Sequence, residues 1–309
     1  MMKSLILKIL LFILVVALVD FCFGKIMRYT LATTEKGDWG RRNYIIDKTN
    51  QGILVFGSSR AVHHYDPKIL LDSFNMTSYN CAEDATGILV HYPRLKTILE
   101  RCKPQLIIYD IIPKYDFLMY DNSSFLRFLR PYTELECVRQ VIDDVDRKER
   151  IKLYSNLYKY NSIFGEIITQ RFSSSTETSD KFTYSPLLSE INYEPKYDDL
   201  ILEGNGVDEV KMKYFNEFVD LCRSKGIALF ITASPWYKMK EQDAYEPIYK
   251  LCKEKNIPFL NHNFDDNYNL KEIYFHDHAH LNKYGAETYT KQIAHEIKRI
   301  LNVQHKNIQ

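Results

Sequence analysis

Apolar and polar positions divide the chain into three kinds of stretch. The first is an unbroken apolar run near the N-terminus, Ile9 to Val19, which extends from Leu5 to Phe23 if Lys8 and Asp20 are tolerated at its edges. A bilayer span needs about 20 apolar residues and a signal-peptide core about 7–15. The run lies between these lengths. Lys3 and Lys8 at its start predict a cytoplasmic N-terminus, with everything after Lys25 exported. Cys22-Phe23-Gly24 is a weak cleavage site, and Phe21 before Cys22 rules out a lipobox. Residues 1–25 are therefore expected to stay on the chain as a single-pass signal anchor. The polar, mixed residues 26–50 read as a stalk.

The second kind is a series of short apolar, β-branched runs alternating with amphipathic stretches. Gly52 to Gly57, Thr77 to Asn80, Gln105 to Ile112, Ile227 to Thr232 and Pro258 to Leu260 are expected strands. Between them lie expected helices. One starts at Asp66-Pro67. One is capped by Asp84 or Thr86 and carries Leu89, Tyr92, Leu95 and Leu99. Others cover Val210 to Cys222 and Ala244 to Lys253. Asn282 caps a last helix with Ala286, Tyr289, Ile293, Ile297 and Ile300 on one face. Alternating strands and helices, with strands apolar on both faces, predict an α/β fold: a three-layer α/β/α sandwich around a parallel sheet. Ligands bind at the carboxyl ends of such strands.

The third kind is the polar, tyrosine-rich stretch 114–204, with its patch Ser173-Ser174-Ser175, which breaks the alternation. It reads as an insertion into a domain spanning 51–302, and is expected to cap the cleft. Composition adds exclusions. The 309 residues carry a formal net charge of +1 with no basic tract, so nucleic acid is not an expected partner. The six cysteines form no CxxC pair and match neither a zinc signature nor a dense disulfide framework.

Candidate chemistry falls at the strand ends. Gly57-Ser58-Ser59-Arg60 follows the first strand and exposes a hydroxyl on a strand-to-helix turn. Asn80-Cys81-Ala82-Glu83-Asp84 follows the second, where backbone N–H groups are placed to contribute to an oxyanion hole. Phe275-His276-Asp277-His278-Ala279-His280-Leu281-Asn282 precedes the last helix. Asp277 and His280, three apart on a turn, suit a carboxylate that orients an imidazole base toward a serine. His276, His278 and His280 alternate as metal ligands do on a strand, but supporting carboxylates would have to come from elsewhere. No metal or other cofactor is expected. His63-His64 is a second histidine pair, and either ring is placed to contact substrate or to lie on a solvated turn.

Together these motifs resemble the SGNH (GDSL-like) hydrolase superfamily over about Gly52–Pro113 and Val207–Ile300. The match is tightest at Phe56-Gly57-Ser58-Ser59-Arg60 and at Asp277-His278-Ala279-His280-Leu281-Asn282-Lys283-Tyr284-Gly285-Ala286. The resemblance implies a flavodoxin-like sheet, with Ser59 rather than Ser58 as nucleophile and Asp277 and His280 completing a triad. It also implies that the Ser59 and Ala82 amides form the oxyanion hole. Arg60, His63 and Asn80 are weaker candidates for substrate contact. Ala82 stands where the family usually has glycine. Tyr109-Asp110-Ile111-Ile112-Pro113 lacks the asparagine that the family places after its third strand. The implied activity is that of an esterase or O-acyltransferase, acting on an acylated, chiefly acetylated, glycan or a small ester. Membrane-anchored bacterial members imply an inner-membrane anchor with the catalytic domain on the periplasmic side. The alternative is a catalytically degenerate binding or scaffold protein of an envelope polysaccharide assembly.

Overall fold

The computed structural model describes residues 2–174, 184–191, 206–238 and 243–306. The chain divides into two units. One comprises residues 1–44 and 122–181, the other 45–121 and 182–309. The expected insertion is therefore split. Its larger part belongs with the N-terminal helix, and what is expected at 175–183 and 192–205 lies outside the described residues.

In the first unit the apolar run is part of one helix, Met2–Ala32. Its first half is exposed, whereas Gly24, Met27 and Leu31 in its second half are buried. The Asp20 carboxylate ends the exposed run. It accepts hydrogen bonds from Ser155 Oγ (2.8 Å), Asn156 N (2.9 Å) and Leu157 N (2.8 Å), and so caps the helix Asn156–Tyr160. Phe23 makes edge contacts with Tyr160 and Phe164. The residues expected as a stalk are largely helical. Residues 26–32 continue the first helix, Gly37–Asp47 forms another, and Trp39 is buried with Arg42 over its ring. Polar composition misleads here because buried Trp39, Arg42, Ile45 and Ile46 recur at helical intervals among polar positions.

The second unit is built on a five-stranded sheet in the order β2-β1-β3-β4-β5. The strands are β1 Ile53–Gly57, β2 Ser78–Asn80, β3 Leu106–Asp110, β4 Ala228–Ala233 and β5 Phe259–Asn261, and every pairing is parallel. All five fall on the expected apolar runs. Ile53, Val55, Leu106, Ile108 and Phe230 face Tyr65, Leu70, Tyr289, Ile293 and Ile297 of the helices Pro67–Phe74 and Lys283–Lys306 and the turn before the former. On the opposite face Phe56 and Tyr109 stack, and Phe218 from the helix Glu209–Ser224 closes on both. Period-2 alternation thus has two apolar faces, which is why the strands read as unbroken apolar runs.

Local signals set several helix starts. Asp66 Oδ1 accepts from Lys68 N (2.8 Å) ahead of Pro67, and Asn282 Oδ1 accepts from Gly285 N (2.9 Å). The helix after β2 departs from expectation. It begins after Gly87, and neither Asp84 nor Thr86 caps it. A Cβ on Gly87 would meet the Tyr115 carbonyl at 2.2 Å, so close backbone approach decides that start. A short helix, Ser59–His64, also intervenes between β1 and Pro67.

Candidate active site

β1 and β3 are neighbours whose following connections leave toward opposite faces, the place where a sheet of this order opens a crevice. Gly57 ends β1 with φ 140°, and a Cβ there would sit 2.4 Å from the Asp110 carbonyl oxygen. Only glycine lets the chain turn this tightly against β3. Ser58 then points inward, its Oγ buried and, among the described residues, without a partner. Ser59, one residue on, faces the crevice and is half-buried.

The structure brings Ser59, His280 and Asp277 together. Ser59 Oγ lies 2.8 Å from His280 Nε2, and His280 Nδ1 lies 2.9 and 3.0 Å from the two Asp277 oxygens. Asp277 only accepts, so the Nδ1 proton belongs to His280 and Nε2 is left to accept the serine proton. Asp277 Oδ1 also accepts the Ala279 and His280 N–H groups, each at 2.8 Å, so the turn itself orients the carboxylate. Burial would raise its pKa. The hydrogen bond and charge of His280 and the two N–H groups outweigh that and hold it down, at about 2. The last helix is seated tightly behind this turn, since a Cβ on Gly285 would meet the Tyr274 carbonyl at 2.1 Å.

His63 is placed beside the site. Its ring meets that of His280 edge-on at 5.4 Å, and its Nδ1 lies 2.5 Å from the Ser185 carbonyl oxygen. Burial lowers its pKa, partly opposed by that bond, which favours the neutral ring at neutral pH. Segment 184–191, the described end of the expected insertion, runs along the histidine turn. Ser189 Oγ meets His276 Nδ1 at 2.6 Å and Leu187 O accepts from Lys283 N at 2.7 Å. His276 is turned to Ser189, His278 has its ring 6.1 Å from that of Trp236, and His280 turns to Ser59, so the three alternating histidines do not converge.

Three expectations are corrected. The Ala82 N–H donates to Asn80 Oδ1 (3.0 Å) and the residue is fully buried, so this amide does not face an oxyanion. Asn80 is buried as well. Its Nδ2 donates to Ala61 O (2.7 Å), tying β2 to the helix Ser59–His64. Arg60 points beneath the sheet ends, fully buried. It donates to Ser234 Oγ through Nε (3.1 Å) and Nη2 (3.0 Å) and to Asn263 Oδ1 (3.0 Å), with its guanidinium over the Trp236 ring. In each case a polar group read as reaching outward is instead paired with another buried group.

The structure also reveals a buried network that the motifs do not announce. His64 Nε2 accepts the Leu281 N–H (2.8 Å), so its proton lies on Nδ1 and is donated to Ser234 Oγ (2.8 Å). Ser234 Oγ donates to Asp110 Oδ2 (2.6 Å), and Ser234 N donates to Asp110 Oδ1 (2.8 Å). Burial raises the Asp110 pKa, with Arg60 and Ser234 opposing. Burial and the charge of Arg60 hold the His64 pKa well below its ordinary value, so that ring is neutral. The only sequence signal for this layer was the doubled histidine at His63-His64. Ser234 and Asp110 looked like ordinary strand ends.

The turn after β2 is anchored by the Glu83 N–H to Gly57 O (3.0 Å) and by an ion pair between Glu83 and Arg94. Its exposed residues are Asp84 and Ala85, and Ala85 is left-handed at φ 55°. Asp84 Oδ1 lies 3.9 Å from His63 Nε2, which puts this turn at the rim of the crevice.

No protein-family model and no curated protein matches the sequence. Solved structures do. A protein assigned to the G-D-S-L lipolytic family from Desulfitobacterium hafniense is 12% identical with a TM-score of 0.40, covering 79% of this chain and 98% of its own. A GDSL-like lipase from Bacteroides thetaiotaomicron is 10% identical with a TM-score of 0.33, over 79% of this chain and 88% of its own. A protein assigned as an acylhydrolase from Bacteroides fragilis is 11% identical with a TM-score of 0.34, over 81% and 89%. At this degree of overlap the geometry around Ser59, not the likeness, carries the chemistry.

Proposed function

We propose that this chain is a serine esterase or O-acyltransferase of the bacterial cell envelope, acting on an acylated, chiefly acetylated, glycan or a related ester. The observation that carries the proposal is the continuous hydrogen-bonded path from Ser59 Oγ through His280 to Asp277 at the carboxyl ends of a parallel sheet. Ser59 Oγ attacks the acyl carbonyl while His280 Nε2 takes its proton. Asp277, ionised far below neutral pH, stabilises the imidazolium that forms. His280 then returns the proton to the departing alcohol oxygen. In the second half, water or a sugar hydroxyl attacks the acyl-serine with His280 again as base.

The Ser59 N–H, among the first of its helix, is one oxyanion donor. With Ala82 committed to Asn80, the second donor passes to the exposed turn, where the Ala85 N–H has no protein partner among the described residues. The degenerate, non-catalytic alternative draws on the end of β3, where Asp110 is buried in the Ser234 network and no asparagine offers a third donor.

A fluorophosphonate probe separates the readings. The wild-type chain is expected to label, and Ser59→Ala and His280→Ala to lose labelling. Absence of labelling in the wild type, under conditions where a control esterase reacts, would leave the scaffold reading standing. Hydrolysis and transfer are then told apart by whether acetyl leaves a chromogenic acetate ester as free acetate or appears on added oligosaccharide.

The N-terminal helix fits an uncleaved inner-membrane anchor with the sheet domain on the periplasmic side. Its exposed half is apolar and its second half is built into the first unit, so cleavage after Gly24 would take from that unit buried Gly24 and, with Asp20, the cap of the helix Asn156–Tyr160.

A further inference from the structure

The end of the exposed apolar run is fixed in space by Asp20. From Leu5 to Phe23 the helix rises about 28 Å at 1.5 Å per residue, close to the roughly 30 Å of a bilayer's hydrocarbon core. Asp20 therefore sits at one boundary of that layer if the helix spans it. Its carboxylate receives bonds from Ser155, Asn156 and Leu157, so the turn 153–157 lies at the same depth as Asp20. The side chains around this turn are not those of a water-facing surface. Ile151, Tyr154 and Leu157 are 72%, 84% and 43% exposed, and Phe21, next to Asp20 in sequence, is exposed too. Arg147 and Lys148 lie just before Ile151 in sequence, whereas Arg150 and Lys152 are paired with Asp143 (3.1 Å) and Glu149 (3.1 Å).

We infer that the surface formed by Ile151, Tyr154 and Leu157 is a membrane-interface foot, seated in the headgroup layer of an anionic lipid bilayer beside the point where the N-terminal helix leaves it. Tyrosine at the interface keeps its ring among acyl chains and its hydroxyl in water. Arg147 and Lys148 in the same stretch meet lipid phosphates. The Asp20 bonds join foot and span rigidly, so inserting one sets the depth of the other. The inference rests on the anchor reading above.

The test uses the full chain in nanodiscs of phosphatidylcholine and phosphatidylglycerol whose acyl chains carry bromine near the headgroup or near the bilayer centre. Tyr154→Trp and Phe12→Trp are compared, each as its difference from the parent chain with native Trp39 and Trp236. Emission from Tyr154→Trp is expected to fall more with shallow than with deep bromine, and that from Phe12→Trp in the opposite order. Quenching at position 12 with none at 154 by either lipid overturns the foot and leaves the span intact. Absence of quenching at both positions overturns the anchor itself, and the foot with it.

Discussion

Two sets of serine, histidine and aspartate lie side by side at the strand ends, their histidine rings 6.2 Å apart, and they do different work. In one, Ser59 terminates the path: its hydroxyl has His280 as partner and a face to the crevice. In the other, Ser234 is the middle member. It takes bonds from His64 and twice from Arg60, gives its own proton to Asp110, and has no exposed face. The same three residue types thus make the proposed nucleophile's path or a strut. The deciding factors are the order of the groups, the access of the serine to solvent, and where each imidazole proton is needed. His280 offers an unprotonated Nε2 to a hydroxyl. His64 has already committed its Nε2 to the Leu281 N–H, so it is no base for anything.

The largest expected effect breaks the first set. Ser59→Ala should lower ester turnover by roughly three to six orders of magnitude, read as kcat on a chromogenic acetate ester, while the urea midpoint stays near wild type. Ser234→Ala is expected to do the reverse. It leaves buried Arg60 and Asp110 without their shared partner, which costs about 3 kcal/mol or more of stability, seen as a lower urea midpoint with probe labelling retained on the protein that remains folded. Loss of labelling by Ser234→Ala with unchanged stability would erase the distinction between the sets.

His64→Phe sharpens the comparison further. It keeps a ring in the core but drops the bond to Leu281 N, the residue next to His280. A drop in kcat of up to about a hundredfold with little change in KM is expected from the displaced base, whereas a purely packing role would change only the thermal midpoint. The smallest effect concerns Asp277. Its pKa, about 2 against an ordinary 3.8, is depressed in the folded state. Its contribution to stability is therefore complete above about pH 4 and fades as pH falls through 2. Acid unfolding of Asp277→Asn compared with wild type should show a gap that narrows over that window, and a constant gap would assign the loss to geometry instead.

How legible these features were in the sequence follows the range of the forces involved. β1, β3, β4 and β5 were visible because each carries an apolar run flanked by turn residues, which the mostly polar β2, Ser78-Tyr79-Asn80, lacks. The Asp66 and Asn282 caps were visible because their bonds span two or three residues. The proposed nucleophile, base and orienting acid were read from two short motifs, since Asp277 and His280 are neighbours on one turn and Ser59 lies two residues after Gly57, whose φ of 140° calls for glycine. The Gly87 start, the helical 26–47 stretch and the commitment of Ala82 to Asn80 were not visible. Each depends on which side chain or carbonyl approaches from elsewhere.

The sequence by itself determined the parallel α/β pattern, the apolar N-terminal helix and the identities of Ser59, His280 and Asp277, because local periodicity and short-range hydrogen bonding carry that information. Only the tertiary structure decided that Arg60 and Asn80 face inward, that Ser234 and His64 brace the site, and that Asp20 caps a helix more than a hundred residues away. Buried polar groups must find partners wherever the fold supplies them, and the chain's linear order does not reveal which groups the fold will bring together.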